Sequence, residues 1–490
     1  MSLTQSNFGN KISVNTVLSD RVKLIEELKL TSPDIVTRII ETPTFCGALF
    51  HIEGLVEVRQ LEEAVVIPIN SKKDHFCDDY FGIKSVIGIA GTLKEIEIGK
   101  AGKSLSEGSA VLVTKSTVVE ISARKVSARA ISEPPTSSVI KGPREGFVED
   151  VRTNVVILRK RLKSENFAIK ELIMGKITAT KINIVYLKGI ADENIVESVS
   201  KRIEAYSIDG IIDSSYVAKM IESNPYSMFK QVGNSEKPDV IASKLLDGKV
   251  AIIVDGSPIV LVVPFMLYED FEDSQDKYKR PLRTTFLRYV RLLAVFCAVF
   301  LPALFVSVQL YQFQLLPLEL LITVINVTDQ IPFSPSLEMV IALVLFEVLG
   351  EASIRMPRHV GMALGVVGAI VLGETAVSAG FLSSLTVLVV AISGIGIYAV
   401  PDEVGTLGLL RILFVVVADL LGIFGLTLAG LMVIAYLTGI GSYGIPYLVP
   451  VSPLIGSDFK DSIFKRSLTD LFYRPESFAQ KNKRRMQKLK

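Results

Sequence analysis

Residues 409–437 read LLRILFVVVADLLGIFGLTLAGLMVIAYL, and residues 290–311 read VRLLAVFCAVFLPALFVSVQLY. Each run is long enough to cross a hydrocarbon core, which takes about 20 apolar residues for a thickness of roughly 30 Å. Residues 381–400 form a third such run. Residues 337–350 and 359–373 are shorter, and gain weight from lying between the others. Large soluble cores also contain wholly apolar helices, but five clustered between residues 286 and 455 argue for a membrane block.

Outward from that block the chain changes character. The first 285 residues carry the mixture of charge and short apolar periods expected of a water-soluble fold. The expected class is an α/β cytosolic N-terminal half, made of two small α/β subdomains, joined to an all-α polytopic membrane domain. The expected divisions are 1–136 for the N-terminal tail and first subdomain and 137–276 for the second. Residues 277–456 form the membrane domain and 457–490 a basic cytosolic tail.

Composition excludes several functions. A net charge of +2 over 490 residues gives no basis for nucleic-acid binding. Three cysteines (Cys46, Cys77, Cys297) are too few and too scattered for a disulfide framework. His75 and Asp78 flank Cys77, but no second ligand pair is nearby, so no metal is expected. The start, Met-Ser-Leu-Thr-Gln-Ser-Asn, lacks the apolar stretch of a secretory signal, which leaves the front half cytoplasmic.

In the first subdomain, residues 20–28 suit a short amphipathic helix, and Ser32-Pro33-Asp34 restarts a second helix through Ile40. Residues 46–52 read as a buried strand, Val58, Leu61 and Val65 as a helical face, and 110–113 with 117–121 as a hairpin. Gly99-Lys100-Ala101-Gly102-Lys103-Ser104 ends as a phosphate-binding loop does. The glycine that such a loop needs five residues before its second is replaced by Glu97, whose charge opposes phosphate, so no cofactor is expected.

Ser132-Glu133-Pro134-Pro135-Thr136 reads as a rigid linker. Beyond it Val148, Val151, Val155, Leu158 and Leu162 line one helix face, and Arg152, Arg159, Lys160, Arg161 and Lys163 decorate the rest. That basic face is either solvated or a surface for a partner or anionic headgroups. Strands at 181–187, 250–254 and 258–263 and helices near 192–203, 214–222 and 238–246 complete the second subdomain, with Asp255-Gly256 as a hairpin turn. No Ser/His/Asp, Cys/His or His-Glu-x-x-His pattern occurs among the three histidines, so the chain reads as a non-enzyme.

Many short motifs, in order and at constant spacing, resemble the GerA-type spore germination proteins, the A subunits of nutrient receptors in endospore formers. Central among them is Gly142-Pro143-Arg144-Glu145-Gly146-Phe147, followed by Glu149-Asp150, Thr153-Asn154 and Arg159–Arg161. Others are Ile52-Glu53-Gly54-Leu55-Val56, Lys237-Pro238-Asp239, Ile354-Arg355-Met356-Pro357-Arg358 and Tyr443-Gly444-Ile445-Pro446-Tyr447. The resemblance covers residues 45–473. It implies work beside a transporter-like B subunit and a lipoprotein C subunit in the spore inner membrane. It further implies assembly with copies of itself into a nutrient-gated, cation-releasing channel that triggers germination. The alternative is a non-conducting scaffold that docks partners through its cytosolic half. The chain departs from the family's pattern at Thr328–Ser334, Met362, Glu374 and Asp419, all within the membrane half.

Acidic residues at bilayer depth are costly unless paired or wet. Glu347, Glu351, Glu374 and Asp419 are therefore the candidates for lining an ion path. Arg355 is placed to neutralise Glu351, Arg411 lies two turns from Asp419, and neither base reaches Glu347 or Glu374 by helical spacing alone. Gly361, Gly365, Ala369 and Gly373 form a small-residue seam for helix packing, within or between subunits.

Lys277, Lys279, Arg280, Arg283, Arg288 and Arg291 crowd the entrance to the block, and Lys460, Lys465, Arg466 and the tail 481–490 its exit. Both flanks then face the cytoplasm, in contact with membrane lipid. That demands an even number of crossings against five visible runs, so a hidden sixth is expected in 312–327 or 439–456.

Overall fold

The computed structural model describes residues 16–42, 45–71, 78–89, 91–125, 141–329, 331–478 and 482–487. The expected linker at 132–136 and the His75–Cys77 pair lie outside those residues.

The N-terminal half contains two antiparallel five-stranded sheets. The first comprises β1 (Ile35–Glu41), β2 (Cys46–Ile52), β3 (Leu93–Glu95), β4 (Ala110–Thr114) and β5 (Val118–Ile121), in the order β1-β2-β4-β5-β3. Around it pack α1 (Thr16–Thr31), α2 (Val58–Leu61), α3 (Ile67–Ser71), α4 (Tyr80–Val86) and α5 (Ala101–Ser106). Residues 35–40 are therefore strand rather than the expected helix. Ile35, Val36, Thr37, Ile39 and Ile40 are β-branched, and β1 pairs with β2 over its whole length, from Ile35 opposite Ile52 to Glu41 opposite Cys46.

The second sheet runs β6 (Phe167–Met174), β7 (Thr180–Leu187), β9 (Val250–Val254), β10 (Val260–Val263) and β8 (Gly233–Ser235). Successive side chains alternate between faces. Ile182, Ile184, Ile252 and Leu261 enter one core with α7 (Glu193–Glu204) and α8 (Ser214–Ile221). Val185, Ala251, Ile253 and Val262 enter the other with α6 (Val151–Arg161) and α9 (Pro238–Asp247). Asp150, Asp192 and Asp213 cap α6, α7 and α8 by accepting from free backbone amides in the first turns.

The two sheets are joined by charge. Arg159, 2% exposed, makes a bidentate pair with Asp34, Nε to Oδ2 at 2.6 Å and Nη2 to Oδ1 at 2.7 Å. Arg152 pairs with Glu53 at 2.8 Å, and Arg161 with Glu145. Three arginines of the basic helix are thus paired inside the chain, while Lys160 and Lys163 stay exposed.

The C-terminal half is helical: α10 (Pro281–Leu310), α11 (Leu318–Thr328), α12 (Pro335–Arg355), α13 (Arg358–Ile370), α14 (Ala376–Ser378), α15 (Ser384–Ile397) and α16 (Val404–Gly439). By length and composition, α10 and the stretch Pro401–Gly439 are each apolar and long enough to cross a bilayer.

α16 is two arms. Gly422 has φ 62° and ψ −149°, a conformation essentially confined to glycine. The Phe300 ring of α10 stacks edge-on against Phe414 at 5.1 Å and lies 3.4 Å from the Cβ position of Gly430. On one straight helix residues 414 and 430 would stand about 24 Å apart, too far to share a ring. The chain therefore folds back at Gly422, with arms 404–421 and 423–439 of roughly 26 Å each. A sixth crossing was expected in 312–327 or 439–456; the first of these holds the short apolar helix α11, and the reversal at Gly422 divides the run 409–437 into two further arms.

Contacts fix the directions of the other helices. The outer end of α12 meets the start of α15, where Glu338 Oε1 accepts from Ser383 N at 2.5 Å. Near the opposite ends, the Cβ position of Gly350 lies 3.6 Å from the Tyr398 hydroxyl. α13 returns antiparallel along α12, its Gly368 against Leu349 and its Gly361 against Ser353. Among the described residues, α10, α12, α13, α15 and the two arms of α16 thus alternate in direction along the chain.

Candidate functional site

At the middle of this bundle sits a charge. Arg411, fully buried on the first arm of α16, donates from Nη2 to Glu347 of α12 at 2.8 Å and from Nη1 to Ser393 Oγ of α15 at 3.1 Å. Ser393 in turn donates to the carbonyl of Ala298 on α10 at 2.7 Å. Four helices are thus pinned at one level. Two glycines make this possible. Gly408 leaves room for the Glu347 carboxylate, and Gly394 for the Phe346 ring, which lies 5.3 Å from the Arg411 guanidinium carbon. By helical spacing Glu347 has no obvious basic partner and Arg411 lies two turns from Asp419. The fold pairs Arg411 with Glu347 instead; the two are 64 residues apart and meet only across helices.

The other acidic candidates are dispersed. Glu351 pairs with Arg355 at 2.6 Å on an exposed face, as their spacing implied. Glu374 is exposed in a wide helical turn, Val371–Thr375, between α13 and α14. Asp419 is half-buried beside the Gly422 fold, and its carbonyl accepts from the Tyr311 hydroxyl at 2.5 Å. In the glycine seam, Cβ positions on Gly365 and Gly373 meet nothing within 4 Å, and Gly361 approaches only the Ser353 carbonyl at 3.3 Å. Ala369 lies outside the residues whose side chains are described.

The motif Gly142–Phe147 packs against the second subdomain. Phe147 is buried with α6 and α9, and its amide donates to the Glu236 carbonyl at 2.9 Å. Gly142, at φ 124°, leaves only 2.9 Å between its Cβ position and the Tyr278 ring, just ahead of α10. Gly99–Ser104 forms a turn leading into the short helix α5. Lys100 pairs with Glu97 at 3.0 Å, and Gly102 is buried against Glu165.

A second charged centre, which sequence reasoning missed, joins the two halves. The segment 223–231 of the second subdomain reaches both arms of the α16 hairpin at their near ends. Thr406 Oγ1 donates to the Met228 carbonyl at 2.7 Å, and the Tyr436 hydroxyl meets Ser227 Oγ at 3.1 Å. Phe229 packs against Tyr436. Lys230 bridges Asp270, at 2.5 Å, and Asp402, at 2.8 Å.

Burial pushes the Asp270 carboxyl up to about 7, even against the Lys230 ammonium. Among the described residues, one oxygen each of Asp270 and Glu403 and the hydroxyl of the fully buried Tyr447 have no hydrogen-bond partner. Glu269 stays ionised. Burial opposes its charge, but Lys244 at 2.8 Å and Lys249 hold it down at about 2. Asp402-Glu403 directly before an apolar run, with a lone lysine in a loop far upstream, was the available signal. Nothing local pairs them.

A family model described as Bacillus/Clostridium GerA spore germination protein matches residues 23–477. Spore germination protein KA of Bacillus subtilis (strain 168) is 31% identical over 469 residues, 94% of this chain and 86% of that protein. The uncharacterized membrane protein YfkQ of the same organism is 30% identical over 486 residues, 98% and 94% of the two chains. Spore germination protein GerQA of Bacillus cereus is 30% identical over 472 residues, 95% of this chain and 93% of that one. Among solved structures, the N-terminal domain of the A subunit of the Bacillus megaterium spore germinant receptor GerK3 matches 52% of this chain and 96% of its own. The identity there is 27% and the TM-score 0.41.

Proposed function

The chain belongs to the GerA spore germination protein family, and from that membership we propose that it is the membrane subunit of a nutrient-germinant receptor. In this reading it works beside a transporter-like B subunit and a lipoprotein C subunit. It sits in the spore inner membrane with six crossings, and its N-terminal half and C-terminal tail are cytoplasmic. The sixth crossing is the second arm of α16, which restores the even count that cytoplasmic basic flanks require. Several copies assemble into a cation path that opens on a nutrient signal.

One observation carries the receptor reading above a passive anchor. Segment 223–231 holds both arms of the hairpin at their cytoplasmic ends, with Lys230 across Asp270 and Asp402. A displacement of the soluble half then acts directly on two membrane helices rather than through a slack linker. The hairpin carries Arg411, so the same movement bears on Glu347 at the centre of the bundle.

A second reading, a non-conducting scaffold, has its own support. Glu347 and Glu351 are both paired within the chain, which leaves Glu374 and Asp419 as the acidic candidates for an ion path. Deleting the gene in the native spore former tests the receptor role. Loss or slowing of germination to at least one nutrient is expected, and an unchanged response to every nutrient overturns it. Cation flux from purified, assembled protein in liposomes then separates channel from scaffold.

A further inference from the structure

The bases at the entrance to α10 fall into two groups. Arg288, 5% exposed, pairs with Glu272 at 2.7 Å and donates to the Asp461 carbonyl at 2.5 Å. Arg291 pairs with Asp276 at 2.7 Å. Both face inward and bind the helix to the soluble half and the C-terminal segment. The helix has an outer face opposite Arg288 and Arg291; at its start Lys279 is half-buried and Arg280 and Arg283 are exposed, and among the described residues none of the three has an acidic partner.

That outer face is apolar. Leu282, Phe286, Tyr289 and Leu293 follow one another at four, three and four residues, and are 87%, 66%, 43% and 62% exposed. The stripe continues as far as Phe296, 53% exposed, beyond which Phe300 turns into the contact with α16. The C-terminal segment widens it. Phe464, 51% exposed, stands edge-on to Tyr289 at 5.9 Å, and Lys465 N accepts its place by donating to Thr285 Oγ1 at 3.1 Å. Arg466, next in sequence, is exposed and also lacks an acidic partner among the described residues.

We propose that this face, with Lys279, Arg280, Arg283 and Arg466 at its rim, is a binding surface for anionic phospholipid. An apolar stripe that begins two residues into the helix calls for acyl chains up to the level of Leu282. The cations then stand at phosphate depth, their stems along the stripe and their heads in the interface. The acids that would otherwise neutralise this corner, Glu272 and Asp276, are taken up by Arg288 and Arg291 on the inner face. The surface is composed of two distant parts of the chain, so lipid bound there also fastens the C-terminal segment to α10.

The proposal rests on the membrane reading of α10, and the test separates the two. Full-length protein purified in detergent is titrated with phosphatidylglycerol or phosphatidylcholine, and bound lipid is counted by native mass spectrometry. Each cation is worth roughly five-fold in affinity for an anionic surface. The wild type should prefer phosphatidylglycerol by well over ten-fold, and a Lys279→Gln/Arg280→Gln/Arg283→Gln/Arg466→Gln variant should approach parity. An Arg280→Lys/Arg283→Lys/Arg466→Lys variant keeps the charge and should keep the preference. Wild-type parity, or an unchanged preference in the glutamine variant, overturns the proposal. Release of the wild type from native membranes by alkaline carbonate, without detergent, overturns the membrane reading instead.

Discussion

Arg411 Nη2 and Glu347 Oε1 lie 2.8 Å apart between α16 and α12, and Arg411 is fully buried there. Removing one partner of such a pair leaves an uncompensated charge and costs about 3–5 kcal/mol, whereas replacing both by apolar groups is often neutral. Glu347→Leu and Arg411→Leu singly should lower the thermal midpoint of the detergent-solubilised protein, and the double variant should recover most of the loss. A double variant whose loss equals the sum of the two single losses would mean that the two residues act independently.

Gly422 turns the hairpin at a φ of 62°, with the Tyr311 ring 3.0 Å from where a Cβ would sit. Gly422→Ala therefore combines backbone strain with a clash, and a loss of about 1–3 kcal/mol is expected from the strain alone. Gly405, at the start of the same helix, has open space around its Cβ position. Gly405→Ala should be neutral or stabilising by up to about 1 kcal/mol. The check is the difference in midpoint between the two variants, since both add one methyl to α16.

The carboxyl of Asp270 rises from an ordinary 3.8 to about 7 on burial, with Lys230, Asp402 and Glu403 around it. A raised acid favours the folded state when protonated. Its contribution is complete below pH 3.8 and is lost as the pH climbs through about 7, a swing of roughly 4 kcal/mol. Between pH 5 and 8 the wild type should lose stability, and Asp270→Asn should flatten that slope. Parallel pH profiles for the two proteins would remove Asp270 as the cause.

Lys230 is the charged tie between the soluble half and the hairpin. Lys230→Gln should slow nutrient-triggered germination in spores while leaving protein abundance and membrane insertion near wild type. Normal germination kinetics in that variant would argue that the tie carries no signal.

Gly365 and Gly373 face open space in the single chain. Gly365→Leu should leave the midpoint of the isolated chain within about 0.5 kcal/mol, as for an exposed site. If copies pack along this seam, the same change should abolish the assembled complex, read by size in detergent. Intact assembly would assign the seam to lipid.

Local pattern carried most of the elements. The capped helices at 192–204 and 238–247, the hairpin strands and the apolar helices of the second half all follow from short-range periodicity and turn chemistry. The strand at 35–41 was misread because Ser32-Pro33-Asp34 is a good helix start. Pairing with β2 and the β-branched content decided against helix.

What the chain does with its charges was decided only by the tertiary structure. Arg411 reaches Glu347 across 64 residues, Arg159 reaches Asp34 across 125, and Lys230 reaches Asp402 across 172. A helical wheel compares residues three or four apart and is silent about partners on other elements, so each of these ions looked solitary. The reversal at Gly422 was hidden for a related reason. One glycine inside an apolar run is compatible with a continuous helix, and contacts that touch both arms, from the Phe300 ring and from segment 223–231, distinguish a hairpin from a rod.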